Sequence, residues 1–230
     1  MTWAVLLTLA HLGQFPTVDS QDFAKAQQAT ALLSTVRIVN LTNKFRGTGA
    51  ILKSAGGYTF ILTAEHVVDQ AEALEIATFS ADSYPRPDRT YRGAEVVAKL
   101  HDPDLALLRL STRDRPPGGL KICPPKLVPK EMPFPVMSVG CSLGEPPTIL
   151  VDRVLDKKRV RKQPLAEPTL VWEAATKHSP GRSGGPLLDQ RGNIIGVCTG
   201  RTGNFGFYCH TQEIHQWLKK NGFEYLYEDQ

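Results

Sequence analysis

Residues 179–186 read Ser179-Pro180-Gly181-Arg182-Ser183-Gly184-Gly185-Pro186 and lead directly into the apolar pair Leu187-Leu188. A serine hydroxyl attacks a carbonyl when a base removes its proton and amide groups receive the negative charge that develops on the oxygen. Gly181 permits a sharp turn that points its own N–H and that of Ser183 into one hollow, while the two following glycines leave room for a substrate. The stretch predicts a nucleophile loop; the alternative is a glycine-rich hairpin with an incidental serine.

A histidine follows the second of two apolar segments upstream of this loop. Residues 47–52 read Gly-Thr-Gly-Ala-Ile-Leu, and residues 60–68 read Phe-Ile-Leu-Thr-Ala-Glu-His-Val-Val. A single histidine in a sequence is more often a structural hydrogen-bonding residue than a catalytic one. Its position after a small-residue turn at the end of a strand, ahead of the serine motif, indicates that His66 is the general base for Ser183.

A pair of aspartates precedes another apolar segment, residues 105–110, which read Leu-Ala-Leu-Leu-Arg-Leu. A carboxylate at the mouth of an apolar strand is buried and still able to accept a hydrogen bond from an imidazole N–H. Asp102 precedes a proline, which is typical of a turn residue, whereas Asp104 directly adjoins the strand. We therefore predict that Asp104, rather than Asp102, orients His66.

The composition is that of an ordinary folded protein. Of the 230 residues, 41% are hydrophobic and 22% are charged, which argues against disorder as the main state. The formal net charge of +4 is mild, so we expect no nucleic-acid partner. No stretch approaches the ~18 uninterrupted apolar residues of a membrane-spanning helix, so we expect no integral membrane segment. Nothing in the sequence supports a homo-oligomer over a monomer.

The cysteines indicate neither a metal site nor a fixed disulfide pattern. Cys123, Cys141, Cys198 and Cys209 permit three pairings, and their spacing does not match a set of metal ligands. Cys198 and Cys209 fall on strands that we expect to be neighbours. Both a disulfide and two free thiols are therefore compatible with the sequence.

The N-terminus is apolar over residues 3–12, the length of the apolar region of a secretory signal peptide. Residues 1–20 are therefore a candidate signal peptide. We expect the mature protein to be extracytoplasmic, either periplasmic or secreted. No Lys or Arg precedes the apolar run, so an N-terminal helix or extension is the alternative. Residues 21–34 are rich in Ala, Gln and Leu with apolar spacings of three and four, which predicts a short helix.

From residue 35 onward, short runs of Val, Ile, Leu and Thr recur between turn-forming residues. They predict strands at residues 35–41, 49–53, 58–63, 74–79, 94–101, 105–110, 136–139, 148–155, 169–173, 186–188, 193–199 and 206–209. The Pro- and Gly-rich stretch 113–129 divides them into two sets. We therefore predict an all-β fold of two barrels, one over about residues 35–112 and one over about residues 130–230.

The second set ends in a helix. Residues 211–221 place Ile214, Trp217 and Leu218 on one face, which predicts a C-terminal α-helix that docks on the second barrel. Thr211 is the expected N-cap, and Gly222 is the expected residue after the last turn.

A basic run, Lys-Lys-Arg-Val-Arg-Lys at residues 157–162, lies between two predicted strands of the second barrel. We interpret it as a solvated loop. The alternative is a patch that binds an anionic partner, and such binding weakens at high salt.

The three motifs, in the order His66, Asp104 and Ser183, resemble those of the chymotrypsin-like (trypsin-like) serine protease superfamily, most closely the bacterial HtrA/Deg-type protease domain. The likeness covers about residues 35–220. It implies two six-stranded antiparallel β-barrels with the site in the cleft between them. It also implies a serine-type endopeptidase that hydrolyses polypeptides through an acyl-enzyme intermediate, with no metal and no organic cofactor.

The resemblance also implies roles for residues around the nucleophile. The amides of Gly181 and Ser183 form the oxyanion hole, and the Thr199 hydroxyl reaches the Asp104 carboxylate.

Substrate-binding residues are implied in the same way. Lys177, six residues before the nucleophile, lies at the base of the primary specificity pocket, and Thr199, Gly200 and Gly206 line it. With Lys177 inside the pocket, acidic or neutral side chains are favoured over Arg and Lys. With Lys177 in solvent, the pocket takes small apolar residues.

The sequence departs from the family in several respects. We expect Glu65, which replaces a small or neutral residue, to point to solvent. Arg182 replaces the aspartate that pairs with a freshly cut N-terminus in trypsins, so we expect no activation of that kind. Two disulfides of secreted trypsins are missing, and we expect no PDZ domain. The rival interpretation is a catalytically inactive protease-fold binding or scaffold protein, although all three catalytic residues are present.

Overall fold

Strands dominate the computed structural model, which describes residues 23–55, 57–111, 116, 118–162, 164 and 166–228. The strands are β1 (Thr35–Asn40), β2 (Arg46–Ala55), β3 (Tyr58–Thr63), β4 (Leu74–Thr78), β5 (Arg89–Arg92), β6 (Glu95–Leu100), β7 (Leu105–Ser111), β8 (Phe134–Gly140), β9 (Thr148–Val160), β10 (Thr169–Ala174), β11 (Pro186–Leu188), β12 (Ile194–Thr202) and β13 (Phe205–His210). The helices are α1 (Lys25–Leu33), α2 (Glu65–Val68), α3 (Thr211–Lys220) and α4 (Tyr225–Glu228).

The first seven strands form one curved antiparallel sheet in the order β5-β4-β1-β2-β3-β7-β6, which we call the half-barrel. We expected six strands in this half. The additional strand is β5, Arg-Thr-Tyr-Arg, whose side chains are mostly exposed. It was not predicted because a strand without a buried face shows no apolar alternation.

The last six strands close into an antiparallel barrel in the order β10-β13-β12-β11-β8-β9, which we call the closed barrel. Its strand number is the one predicted. The half-barrel and the closed barrel together confirm the predicted all-β, double-barrel architecture.

Neighbouring side chains of the central strands belong to different cores, because successive side chains of a strand point to opposite faces. In β3, Ile61 packs inside the half-barrel. The next residue, Leu62, belongs to a cluster that joins the two halves and includes Met137 of β8. A third cluster, around Trp172 and Tyr208, fills the closed barrel. The apolar contact between the halves is therefore continuous with the core.

The C-terminal helix docks as predicted, but its N-cap is one residue earlier. The buried residues on its inner face include Ile214, Trp217 and Leu218. His210 caps the helix, since its Nδ1 accepts the N–H of Gln212 at 2.9 Å. The Thr211 hydroxyl donates to the Ile195 carbonyl oxygen at 2.5 Å and is therefore committed to the barrel. The Thr211 cap prediction was wrong for that reason.

The basic run is not a loop over its whole length. β9 continues through Val160, so the first four residues of 157–162 are strand and pair with β10. Their side chains alternate between faces. Lys158 faces the cleft between the two halves. Arg159 lies on the other face, with its Nη1 3.6 Å from Oε1 of Glu213 in α3. A strand of charged residues carries no apolar alternation, which explains the wrong prediction.

The four cysteines are free and buried. Cys198 and Cys209 lie on the neighbouring strands β12 and β13 without a disulfide between them. Burial raises the pKa of Cys123 and of Cys141 to about 12. Both thiols are therefore protonated and chemically inert at neutral pH.

In the described part of the chain, no helix has the length and apolar character needed to cross a membrane. The candidate signal peptide, residues 1–20, lies outside the described residues, as do residues 112–115 and 117 in and beside the predicted linker.

Two buried histidines near α3 make stability depend on pH. Burial lowers the pKa of His210 and of His215 from 6.5 to about 4, and the charge of Lys157 adds to the effect at His210. The stabilisation from the two neutral rings is complete above about pH 6.5 and is lost progressively as the pH falls from there to about 4, because the unfolded chain binds these protons more readily. We predict that the free energy of unfolding falls by up to about 3 kcal/mol per histidine.

Urea unfolding followed by tryptophan fluorescence, at several values between about pH 7.5 and pH 4.5, measures this loss. His215→Gln should flatten the dependence. Gln216→Ala, at an exposed position of the same helix, serves as the control and should leave it unchanged. A free energy of unfolding that stays constant across the range would contradict the prediction.

Candidate active site

His66 lies at the start of α2, directly after β3. Its Nδ1 is 2.7 Å from Asp104 Oδ2, and its backbone N–H donates to Asp104 Oδ1 at 2.9 Å. The hydroxyl of Thr199, on β12, donates to Asp104 Oδ2 at 2.6 Å. A neutral imidazole that donates through Nδ1 leaves Nε2 free to accept a proton. The arrangement therefore leaves a proton acceptor on the far side of the ring.

Asp104, and not Asp102, meets His66. Asp104 is only 2% exposed and has a left-handed backbone with φ of 60°. Lys162 Nζ, from the β9–β10 hairpin, lies 3.1 Å from its Oδ2. Burial alone would raise the pKa of Asp104, but the hydrogen bond and charge of His66, together with Lys162 and Thr199, hold it well below its usual range. The group is therefore a carboxylate at any neutral pH.

The nucleophile loop, residues 179–185, turns sharply before β11. Ser183 is half-buried, and the Gly184 N–H donates to the Cys198 carbonyl at 2.8 Å. Gly184 has φ of 84° and lies so close to the half-barrel that a Cβ would collide with the Thr48 carbonyl. The described contacts do not include a hydrogen bond between the Ser183 hydroxyl and the His66 ring. Such bonds are commonly long in substrate-free sites and shorten when substrate binds.

Two amides of the loop, those of Gly181 and Ser183, have no acceptor among the described residues. The amide between them is used, because the Arg182 N–H donates to the Ser179 carbonyl at 3.3 Å. Gly181 has φ of 89°, a left-handed conformation that favours glycine. Unused N–H groups on either side of a buried turn, one of them on the serine itself, are what an oxyanion hole requires.

The trypsin-like peptidase domain family matches residues 47–197, more than half of this chain. The chain belongs to the trypsin-like peptidase family. It is similar to the serine protease Do-like HtrA of Bacillus subtilis (strain 168), with 28% identity over 165 residues. That match spans 68% of this chain but 33% of the relative, so the likeness concerns about a third of that protein.

Solved structures of the Rv3671c protease from M. tuberculosis share the fold. The active form gives a TM-score of 0.71 at 23% identity, over 95% of each chain. The inactive form of a serine-to-alanine mutant gives a TM-score of 0.71 at 22% identity, over 90% of this chain and 95% of that chain.

In this member of the trypsin-like peptidase family, Thr48 connects the half-barrel to the predicted nucleophile loop, a role that sequence reasoning missed. Its N–H donates to the Ser183 carbonyl at 2.8 Å. Its hydroxyl donates to the Gly181 carbonyl at 2.7 Å and accepts the N–H of Cys141 at 2.9 Å. The Gly-Thr-Gly string was the available signal, but we interpreted it only as the start of a strand.

Arg182 is buried inside the closed barrel. Its Nη2 donates to the Ser138 carbonyl at 2.9 Å, and its Nη1 donates to the carbonyls of Gly140 and Thr148, both at 3.2 Å. Among the described residues it has no carboxylate partner, and its Nε has no hydrogen bond. The guanidinium therefore ties the nucleophile loop to β8 and β9 through neutral acceptors.

Glu65 is buried, so the expectation that it points to solvent was wrong. Its Oε1 lies 3.7 Å from Lys99 Nζ, and its Oε2 lies 3.3 Å from His101 Nδ1. These two partners compensate the carboxylate for its loss of water. Glu65 thus links α2 to β6 and to the turn that carries Asp104.

The side chain of Lys177 is exposed, as in the second alternative for the specificity pocket. Its neighbour His178 is buried instead, with Nε2 2.6 Å from the Gly200 carbonyl oxygen. A Cβ on Gly206 would stand 3.1 Å from the His178 ring. Burial lowers the pKa of His178, which favours the neutral ring. Sequence reasoning missed this residue because a single histidine outside a motif carries no signal.

A groove of about 990 Å³ adjoins the His66–Asp104 pair and runs between the β9–β10 hairpin and the half-barrel. Thr199 and Gly200 of β12 form part of its floor. In the described part of the chain, no three His, Cys, Asp or Glu side chains are grouped as a metal site would require.

Loss of the Thr48 hydroxyl should damage activity more than folding. We predict that Thr48→Val lowers kcat/KM for casein roughly 10- to 100-fold, because the Gly181 carbonyl and the Cys141 N–H each lose a buried partner worth about 1–3 kcal/mol. Thr48→Ser keeps the hydroxyl and should stay within about threefold of wild type. Thermal melting of both variants controls for folding. Equal activities in the two variants would show that the hydroxyl has no such role.

Proposed function

We propose that this trypsin-like peptidase is a serine endopeptidase that cleaves polypeptides through an acyl-enzyme on Ser183. His66 is the general base, and Asp104 orients it. The observation that carries the proposal is the buried Asp104 carboxylate, which accepts bonds from both the backbone and the ring of His66. The unused amides of Gly181 and Ser183 support it.

The proposed reaction has two halves. His66 Nε2 takes the proton of Ser183 as the serine oxygen attacks the substrate carbonyl, and then returns it to the leaving amine. The carbonyl oxygen becomes an oxyanion that accepts bonds from the Gly181 and Ser183 amides. Water, activated by the same histidine, then hydrolyses the acyl-enzyme. Asp104 stays ionised throughout, holds the Nδ1–H tautomer and stabilises the imidazolium.

A fluorophosphonate probe tests the proposal directly, since it labels only an activated serine. We predict that the probe labels Ser183, as detected by mass spectrometry. Ser183→Ala and His66→Ala should each abolish nearly all casein hydrolysis, with the double variant hardly worse, because the residues act as a unit. Asp104→Asn should lower kcat by up to about 10⁴-fold through the wrong histidine tautomer.

Asp102→Asn is the matched control for Asp104→Asn and should retain turnover. The reverse result would assign the role to Asp102. A wild-type protein that takes no label and cleaves no casein would favour the inactive binding or scaffold protein over the peptidase.

Activation should not require a newly cut N-terminus. The Arg182 guanidinium carries a fixed positive charge and is already bound inside the closed barrel, so an α-ammonium brought beside it would be repelled. We predict that protein with a tag fused ahead of Asp22 cleaves casein as fast as protein trimmed to that residue. Activity only in the trimmed form would refute this.

We also propose an extracytoplasmic location, periplasmic or secreted. The support is the apolar run at residues 3–12, and fractionation of expressing cells tests it.

A further inference from the structure

The edge of β12 beside His66 has no strand partner on one side. β11 pairs with β12 only as far as Val197, whereas β13 pairs with it as far as Thr202. Among the described residues, residues 200–202 therefore have no strand on their other side, and they line the groove. An extended polypeptide can bind such an edge as an added strand. A substrate cleaved at Ser183 would then place one flank of its chain in the groove.

Two arginines of this groove have no acidic partner among the described residues. Within the described residues, Arg201, on the free part of β12, donates only to the His178 carbonyl, at 3.2 Å. Arg161, at the start of the β9–β10 connection, donates to the Pro164 carbonyl at 3.5 Å and to no other described residue. Both side chains are exposed. A guanidinium has five N–H donors, so each retains donors for a ligand.

The other charges of the groove are mostly neutralised. Lys158 is paired with Glu173, and Lys162 with Asp104. Glu65 is paired with Lys99 and His101, as described above. Asp102 is the one acidic lining residue that has no cationic partner in the described part of the chain, where it accepts the Glu167 N–H at 3.3 Å. Among the described residues of the groove, two arginines therefore lack an acidic partner, whereas one carboxylate lacks a cationic partner.

We propose that the groove selects substrates with an acidic side chain near the cleaved bond, and that Arg161 and Arg201 bind its carboxylate. The inference rests on the proposed peptidase function. A guanidinium matches a carboxylate with two parallel hydrogen bonds, which a neutral amide of the same shape cannot reproduce with equal strength. Glutamate should therefore be preferred over glutamine at the position that lies in the groove.

Matched fluorogenic peptides test the proposal. Each pair differs only by Glu or Gln at one of the positions flanking the cleaved bond, and the ratio of their kcat/KM values is measured. We expect a Glu/Gln ratio of about five at one or two neighbouring positions, because exposed charge pairs contribute up to about 1 kcal/mol. The ratio should fall toward one in roughly 0.5 M NaCl, where exposed charges are screened.

Three variants locate the effect. Arg161→Met and Arg201→Met should each lower the Glu/Gln ratio, whereas general damage to the enzyme would lower both rates together. Arg159→Met is the matched control, since Arg159 lies on the opposite face of β9 near Glu213, and it should keep the wild-type ratio.

The possible failures are distinguishable. A ratio of one at every position, in a wild-type protein whose Ser183 takes the fluorophosphonate label, overturns the acidic preference and leaves the peptidase standing. A preference that survives in both arginine variants overturns the assignment of these residues. No label and no cleavage overturns the peptidase itself, and the preference with it.

Discussion

The hydrogen bonds of Thr48 to the nucleophile loop fix one half of the molecule relative to the other. His66 and Asp104 belong to the half-barrel, whereas Ser183 belongs to the closed barrel, so any shift between the halves would separate the proposed base from the proposed nucleophile. The apolar cluster around Leu62 holds the two halves together, but apolar contact does not by itself fix their relative orientation. Hydrogen bonds supply the direction that apolar contact lacks. A glycine at position 184 then lets the two backbones approach closely.

Two buried charges flank this junction and are compensated differently. Asp104 is surrounded by donors, including the cationic Lys162. Arg182 is surrounded by carbonyl and hydroxyl oxygens, without a carboxylate among the described residues. Burying a charge is costly unless its hydrogen bonds are made, and both groups make several. Each charge therefore restricts the segment that carries it: Asp104 the turn beside His66, and Arg182 the loop beside Ser183.

Sequence reasoning located what apolar periodicity and compact motifs encode. The strands with a buried face were predicted, and so was the contact of His66 with Asp104 rather than Asp102. Sequence reasoning did not find β5 or the charged end of β9, because polar strands have no apolar alternation. Thr48 and His178 act through partners distant in sequence, to which no local pattern points. The burial of Glu65 depends likewise on Lys99 and His101, which reach it only in the folded chain.

Among the described residues, the half-barrel leaves two outer strands, β5 and β6, each paired on one side only. Unpaired strand edges invite pairing with other chains, which leads to aggregation. Both edges are rich in charge: β5 begins and ends with arginine, and β6 carries Glu95 and Lys99. Long charged side chains along an edge disfavour the approach of a second strand. In the described part of the chain, the charged residues of β5 and β6 therefore disfavour the pairing of another strand at the outer edges, whereas the free edge of β12 lies in the groove beside His66.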